Sequence, residues 1–333
     1  MKWKLTGYRA AIAAATTSVA LLTGAAASAE KTELRAISSW PSQFILTEEF
    51  IKLIEEINSD EDAPVSIAYQ GGPEVIPSNQ QGNAIRNGAY DMLMGPPGYY
   101  LGLAPEGNVL FGSNVTPARA RENGGLDLLN EFFAERINSR ILGWGSGDVG
   151  FSIFLKDEPK RTEDGGIDLS GVKLRSAPPY KDWLTSLGAT NVMMPSGEAY
   201  TALERGIVDG FAWSDIGYTD TGLHEFVKYK IAPSVWSLDV VIAINLDAWS
   251  KLGPEAQEYL AQAGIAYEAN TAASYSARAA KEEAMLVEAG GAILELEGAA
   301  RDAYVENAHS INWNWLKEKA SENYDALRAK FYE

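Results

Sequence analysis

GVKLRSAPPYKDWLTSLGATNVMMPSGEAYTALERGIVDG, residues 171–210, reads as a strand–helix–strand–helix–strand series. Val172 and Leu174 belong to a short buried run, while Tyr180 to Leu187 carries apolar side chains at helical spacing. That helix stops at Gly188, the residue type that most readily takes the left-handed conformation of a helix end. Such alternation builds an α/β sheet, and the carboxyl ends of its strands are where ligands bind. Arg175 stands at one of those ends. A planar guanidinium there can hold a carboxylate by two parallel hydrogen bonds; the competing explanation is a surface arginine whose stem covers apolar neighbours. The stretch reads as a binding wall, not a catalytic one.

Strands and helices also alternate on either side of it. Leu34–Ser38, Val65–Tyr69 and Tyr90–Met94 read as strands, and Phe44–Ile57 as an amphipathic helix. Thr116-Pro117 opens a helix, threonine as cap and proline at its first position, that leads through Leu126, Leu129, Phe132 and Phe133 to Ile137. Ile141–Trp144 and Phe151–Leu155 resume strand character, and Val240–Asn245 is a further buried strand. Lys156–Asp168, charged and glycine-containing, is expected to be a surface loop. Pro254–Ala289 has helix formers throughout before a Gly290-Gly291 stop. If continuous it is ~54 Å long; a break at Gly264 would make it two helices.

A chain of 333 residues, 46% hydrophobic, exceeds the size at which single cores usually divide, so two domains are expected. Residues 1–29 stand apart: Lys2, Lys4 and Arg9, an apolar run from Ala10 to Ala27, then Ala27-Ser28-Ala29, which together read as a secretory signal with its cleavage site. No twin arginine and no lipid-anchor cysteine accompany it, so the expectation is general secretion and a soluble periplasmic protein. The absence of cysteine removes disulfides, thiol nucleophiles and thiolate metal sites together. Loss of the leader would take the formal charge from −17 to −20, a poor match for nucleic acid or anionic membranes.

Several short motifs occur in a fixed order: the Gly-x-Lys-Leu-Arg strand end, Leu187-Gly188-Ala189, Met194-Pro195, Glu198-x-Tyr200-x-Ala202-Leu203 and Gly206-x-Val208-Asp209-Gly210. Together with YQGGPEVIPSNQQGNAIRNGAYDM at residues 69–92, they resemble the DctP-type substrate-binding proteins of TRAP transporters over about three hundred residues. The resemblance implies a two-lobed periplasmic binding protein, type II-like, with hinge strands and one long helix spanning both lobes. On that pattern residues 30–150 and 240–275 form lobe I, and residues 151–239 and 276–333 form lobe II. It also implies that Arg175 grips a ligand carboxylate, and that the ligand passes to a membrane permease of a small and a large subunit driven by an ion gradient.

Other site residues come from weaker signals. Trp213 follows Val208-Asp209-Gly210 and is expected to face the same cleft as Arg175; Phe151, which opens the Phe151–Leu155 strand, is a further candidate ligand contact. Trp40 is either at the cleft mouth or a helix-entry packing residue, and Tyr99 and Tyr100 either present aromatic faces to a ligand or pack half-buried. Asn245 either donates an amide hydrogen bond to ligand or caps the Asp247–Leu252 turn. In the keto-acid-binding relatives a Glu-Trp pair at the Trp213 position helps hold a cation; Ala212 supplies no such oxygen, which leaves Asp215 or Asp239 as candidates for any bound cation. Phe151–Leu155 also lacks the second arginine of sugar-acid binders. One carboxylate in a partly aromatic pocket is therefore the expected ligand feature: a keto, hydroxy or sugar monocarboxylate.

The rival classes have less support. The two histidines, His224 and His309, lack a partner at metal-ligand spacing, and no G-x-S-x-G elbow, P-loop or Rossmann glycine run is present. A secreted hydrolase would need two carboxylates converging from distant positions. An ABC-type binding protein is the other alternative, separable by an ATPase encoded beside the gene. The expectation is a receptor and not an enzyme.

Overall fold

The computed structural model describes residues 31–147 and 149–333; the leader read in residues 1–29 lies outside the described residues. The first four strands are β1 (Thr32–Ser38), β2 (Val65–Gly71), β3 (Met92–Gly95) and β4 (Ser139–Gly145). Then come β5 (Phe151–Leu155), β6 (Lys160–Arg161), β7 (Ile167–Asp168), β8 (Lys173–Ser176), β9 (Thr190–Met193), β10 (Gly210–Ser214) and β11 (Tyr229–Val235), followed by β12 (Val240–Asn245) and β13 (Ala292–Glu295). They form two sheets, ordered β2-β1-β3-β12-β4 and β13-β11-β5-β10-β8-β9, and a ribbon of β6 and β7. In the first sheet β1 runs parallel to β2 and β3, whereas β12 runs antiparallel to β3 and β4. In the second, β8, β9 and β10 are parallel and β5 is antiparallel to β10 and β11. Each sheet is the centre of one α/β lobe, and β12 is the strand that returns to the first after the second is complete.

The chain therefore crosses between lobes from β4 to β5 and again through residues 236–239. The two crossings are laced together: Leu238 N–H donates to Val149 O at 2.9 Å, and the Trp144 indole N–H to Leu238 O at 2.9 Å. Trp236, in the second crossing, has φ +62°, a left-handed backbone unusual for so bulky a residue. Its ring holds it there, packed 4.4 Å from the Phe111 ring with the indole N–H on Ala308 O at 2.9 Å.

Pro254–Glu288 is one unbroken helix of 35 residues, about 52 Å long at the usual rise. Gly264 does not interrupt it. A Cβ there would lie 2.1 Å from Leu142 O, so the glycine serves close packing of the helix on β4. Glu268 ties this part to the first lobe by pairing with Arg121 at 2.7 Å and accepting Trp144 N–H at 2.9 Å. About four helical turns further on, Glu282, fully buried, ties the helix to the second lobe by accepting the N–H groups of Gly217 and Thr219 at 2.8 and 3.1 Å. The helix spans both lobes.

Three expectations need correction. The helix begun at Thr116 is two, Pro117–Glu122 and Gly125–Ile137, because Gly124 turns left-handed at φ +76°. Lys156–Asp168 folds back on itself as the β6–β7 ribbon instead of a plain loop. The last helix, Tyr324–Phe331, belongs by its packing to the first lobe: Leu327 and Phe331 are buried in one core with Leu126, Leu129 and Phe133. An apolar stripe fixes that a helix buries a face, but not which lobe receives it.

Candidate ligand-binding cleft

β8 places Arg175 beside Phe211 of β10 and Val192 of β9, at the carboxyl end of three parallel strands. The side chain is 3% exposed. Its Nη2 donates to Met194 O at 3.2 Å, and the guanidinium lies over the Trp213 ring at 4.8 Å from the centroid. Nε is buried with no hydrogen-bond partner, and no carboxylate among the described residues lies within salt-bridge distance. Burial lowers the Arg175 pKa from its ordinary value, yet a guanidinium remains charged at any physiological pH. The result is a buried positive charge whose counter-charge the protein does not supply.

Arg175 lines a chamber of about 40 Å³ between the lobes. The first lobe contributes Trp40, Phe44, Tyr99 and Phe111; the second contributes Phe151, Tyr180 and Trp213. Rings meet across the boundary, Phe44 with Trp213 at 6.4 Å and Phe111 with Phe151 at 4.8 Å. Asp239, on the second crossing, completes the lining and is 4% exposed. Burial pushes its carboxyl up to about 7, against a smaller downward pull from the N–H groups of Gly98 and of Asp239 itself. Burial likewise raises the phenols of Tyr99 and Tyr180, so both are neutral hydrogen-bonding groups. Through Gly98, Tyr99, Arg175 and Ser196 the chamber continues into an outer cleft of about 550 Å³, walled by Pro41, Pro77, Pro178, Met194 and Pro195.

The lobes also touch directly. The N–H of Ile45, at the start of the helix Ile45–Ser59, donates to Asp220 Oδ2 at 3.0 Å, and the same carboxylate pairs with Arg278 of the long helix. A Cβ on Gly217 would stand 2.4 Å from the Phe44 ring, so glycine permits that approach.

The structure therefore brings Arg175, Trp213, Trp40, Tyr99, Phe151 and Asp239 into one place. Tyr100 lies elsewhere, packed over Gly82 in the first-lobe core. Asn245 takes its capping role: Oδ1 accepts from the N–H groups of Asp247 and Ala248, and Nδ2 donates to Ile85 O. Asp215, a candidate for a cation, is instead consumed by Lys230 at 3.2 Å and by the hydroxyls of Ser152 and Ser234. No group of three or more His, Asp or Glu that could hold a metal ion occurs among the described residues. Asp239 is the one carboxyl in the chamber's lining. Residues that sequence reasoning missed are Phe44, Phe111 and Tyr180, aromatics whose spacing matches core residues; none carries a local signal of cleft placement.

Two α/β lobes, two laced crossings, a spanning helix and an interlobe chamber around a buried arginine define a solute receptor of the periplasmic binding-protein class. The family model described as bacterial extracellular solute-binding protein, family 7 (DctP), matches residues 38–318, and the chain belongs to that family, the substrate-binding proteins of TRAP transporters. A monocarboxylate 2-oxoacid-binding periplasmic protein of Nostoc sp. is 27% identical over 97% of this chain and 90% of its own length. A TRAP transporter solute-binding protein of Bordetella bronchiseptica, described with calcium and picolinate, superposes with TM-score 0.76 at 22% identity, covering 90% of both chains. One of Desulfovibrio salexigens with bound orotic acid superposes with TM-score 0.77 at 17% identity, over 90% of this chain and 97% of the other. At those identities the structural likeness speaks for the fold alone.

Proposed function

We propose that this chain captures a small monocarboxylate, a keto, hydroxy or sugar acid, in the interlobe chamber and delivers it to a TRAP membrane permease. The single observation that carries the reading is Arg175, buried at 3% exposure in the chamber without an acidic partner among the described residues. A ligand carboxylate supplies the missing charge and accepts two parallel hydrogen bonds. The aromatic walls then bury its carbon skeleton, and both lobes contribute only when closed, so the ligand shifts the lobe equilibrium by its preference for the closed form. The likeness to the Nostoc 2-oxoacid receptor supports the ligand class. Residues 1–29 direct Sec export to the periplasm, and no helix among the described residues is long and apolar enough to cross a membrane. The permease pair, small and large subunit, follows from the family. The role is binding and release, not turnover.

Calorimetry on the exported chain with a panel of monocarboxylates, dicarboxylates and neutral polyols tests this. Monocarboxylate binding is expected, and binding confined to neutral polyols would overturn the reading.

A further inference from the structure

Asp239 has no part in gripping a carboxylate, yet it lines the same chamber. Gly98, in the Pro97–Tyr99 turn, lies against it: Oδ2 stands 3.6 Å from the place a Cβ on Gly98 would take, an ordinary van der Waals contact. Among the described residues the carboxyl makes no ion pair and receives no side-chain hydrogen bond. The ionisable groups that share the chamber are Arg175 from β8, Tyr99 from the first lobe and Tyr180 from the turn before the helix Lys181–Ser186. The backbone N–H groups of Gly98 and of Asp239 itself face the carboxyl, but its two oxygens offer about four acceptor sites, so room remains for a donor arriving from outside.

We infer that Asp239 is a specificity-determining residue that accepts a hydrogen bond from the ligand, so the receptor takes monocarboxylates bearing a hydroxyl or ammonium donor and disfavours their oxo counterparts. The inference rests on the proposed function above for the carboxylate and differs from it in ranking donor-bearing acids, amino acids included, above the keto acids. Arg175 and Asp239 give the chamber one positive and one negative pole. A ligand with a carboxylate and a donor satisfies both; a carbonyl presents lone pairs to a carboxylate, and a second carboxylate presents charge. Asp239 titrates near 7, so above that pH the acceptor is ionised and its hydrogen bond is of the stronger, charge-assisted kind. A site built to hydrogen-bond a substrate hydroxyl rejects the analogue lacking it more sharply than an apolar pocket rejects a methylene.

The test is calorimetry at about pH 8.5, above the titration of the carboxyl. The probes are matched sets on one carbon skeleton: lactate, pyruvate and alanine; 2-hydroxyisovalerate, 2-oxoisovalerate and valine; mandelate, phenylglyoxylate and phenylglycine. Wild type should favour a donor-bearing member of a set by about tenfold or more over the oxo member. In Asp239→Asn, and in Asp239→Ser as a second variant, that ratio should fall to within about threefold while binding still depends on Arg175. A wild-type preference for oxo acids, or a ratio unchanged in both variants, would overturn the inference and leave the receptor reading intact. Binding that requires added calcium and is lost with Asp239 would also overturn it, since the carboxyl would then be a cation ligand. Failure of every carboxylate to bind would remove both readings.

Discussion

Arg175→Gln separates a binding arginine from a structural one because the two roles predict opposite changes in the ligand-free protein. The guanidinium is 3% exposed and holds one hydrogen bond, Nη2 to Met194 O at 3.2 Å, with Nε unpartnered. An arginine kept for stability would have its charge paired; this one carries the desolvation penalty of a buried ion, offset only by that bond and by the Trp213 face at 4.8 Å. Glutamine keeps a planar donor and removes the charge, so the free variant should melt no lower than wild type. Binding should respond in the other direction. Breaking a buried, bidentate ion pair by removing one partner costs about 3–5 kcal/mol, which raises the dissociation constant by about two to three and a half powers of ten. Melting curves read both effects. A carboxylate at a hundred times its dissociation constant adds ~2.7 kcal/mol to wild type, about 4 °C for some 300 ordered residues, and should leave the variant unmoved. A variant that melts several degrees lower without ligand, yet binds within about threefold of wild type, would refute the reasoning.

Asp239 should make stability fall with rising pH: its folded pKa of about 7 lies above the unfolded value, so the folded state holds the proton longer and loses that advantage between about pH 4 and 7. Asp239→Asn should therefore raise the melting point at pH 8 by up to about 4 kcal/mol, or 6 °C, and change little at pH 4; equal effects at both would contradict the assignment. Gly264→Ala puts a Cβ 2.1 Å from Leu142 O, so despite alanine's better helix propensity it should cost about 1–3 kcal/mol in denaturant unfolding, and a neutral result would mean the helix slides off β4 cheaply. Asp220→Ala removes the acceptor of the Ile45 N–H across the lobes; ligand affinity should drop about tenfold while the melting point of the free protein barely moves, and unchanged affinity would show that this contact does not favour closure.

The parallel strands around Arg175 were legible because their signals are local: apolar runs four to six residues long, a glycine at each helix end, and motifs in a fixed order. Trp213 was legible for the same reason, since it follows the Val208-Asp209-Gly210 turn on the next strand. What escaped is whatever depends on packing over long sequence distances. Tyr99 and Tyr100 are adjacent and alike, yet one lines the chamber and the other fills the core over Gly82, because the turn after Pro97 sends successive side chains apart. Asp215 and Asp239 were equal candidates on composition. Only the fold shows Lys230 consuming one and, among the described residues, no side chain pairing with the other. A break at Gly264 stayed open as the alternative to one continuous helix, because propensity counts a glycine's backbone freedom and knows nothing of the carbonyl pressed against it.

The chamber holds its two kinds of contact in opposition. Aromatic pairs that cross between lobes, Phe111 with Phe151 and Phe44 with Trp213, favour closure, each by about 0.5–1.5 kcal/mol beyond the area they bury. Closure also strips water from Arg175 and Asp239, and the penalty for an unpaired buried ion is several kcal/mol. On the proposed reading, the free receptor opens when the second tendency offsets the first, and its arginine is then rehydrated. An entering carboxylate held as proposed would cancel the penalty at Arg175 and leave the aromatic contacts unopposed, which would favour the closed state. A neutral skeleton of the same shape would fill the same walls and leave the charge unanswered. Selectivity for acids is then set less by how tightly the chamber fits than by which ligands permit the lobes to close.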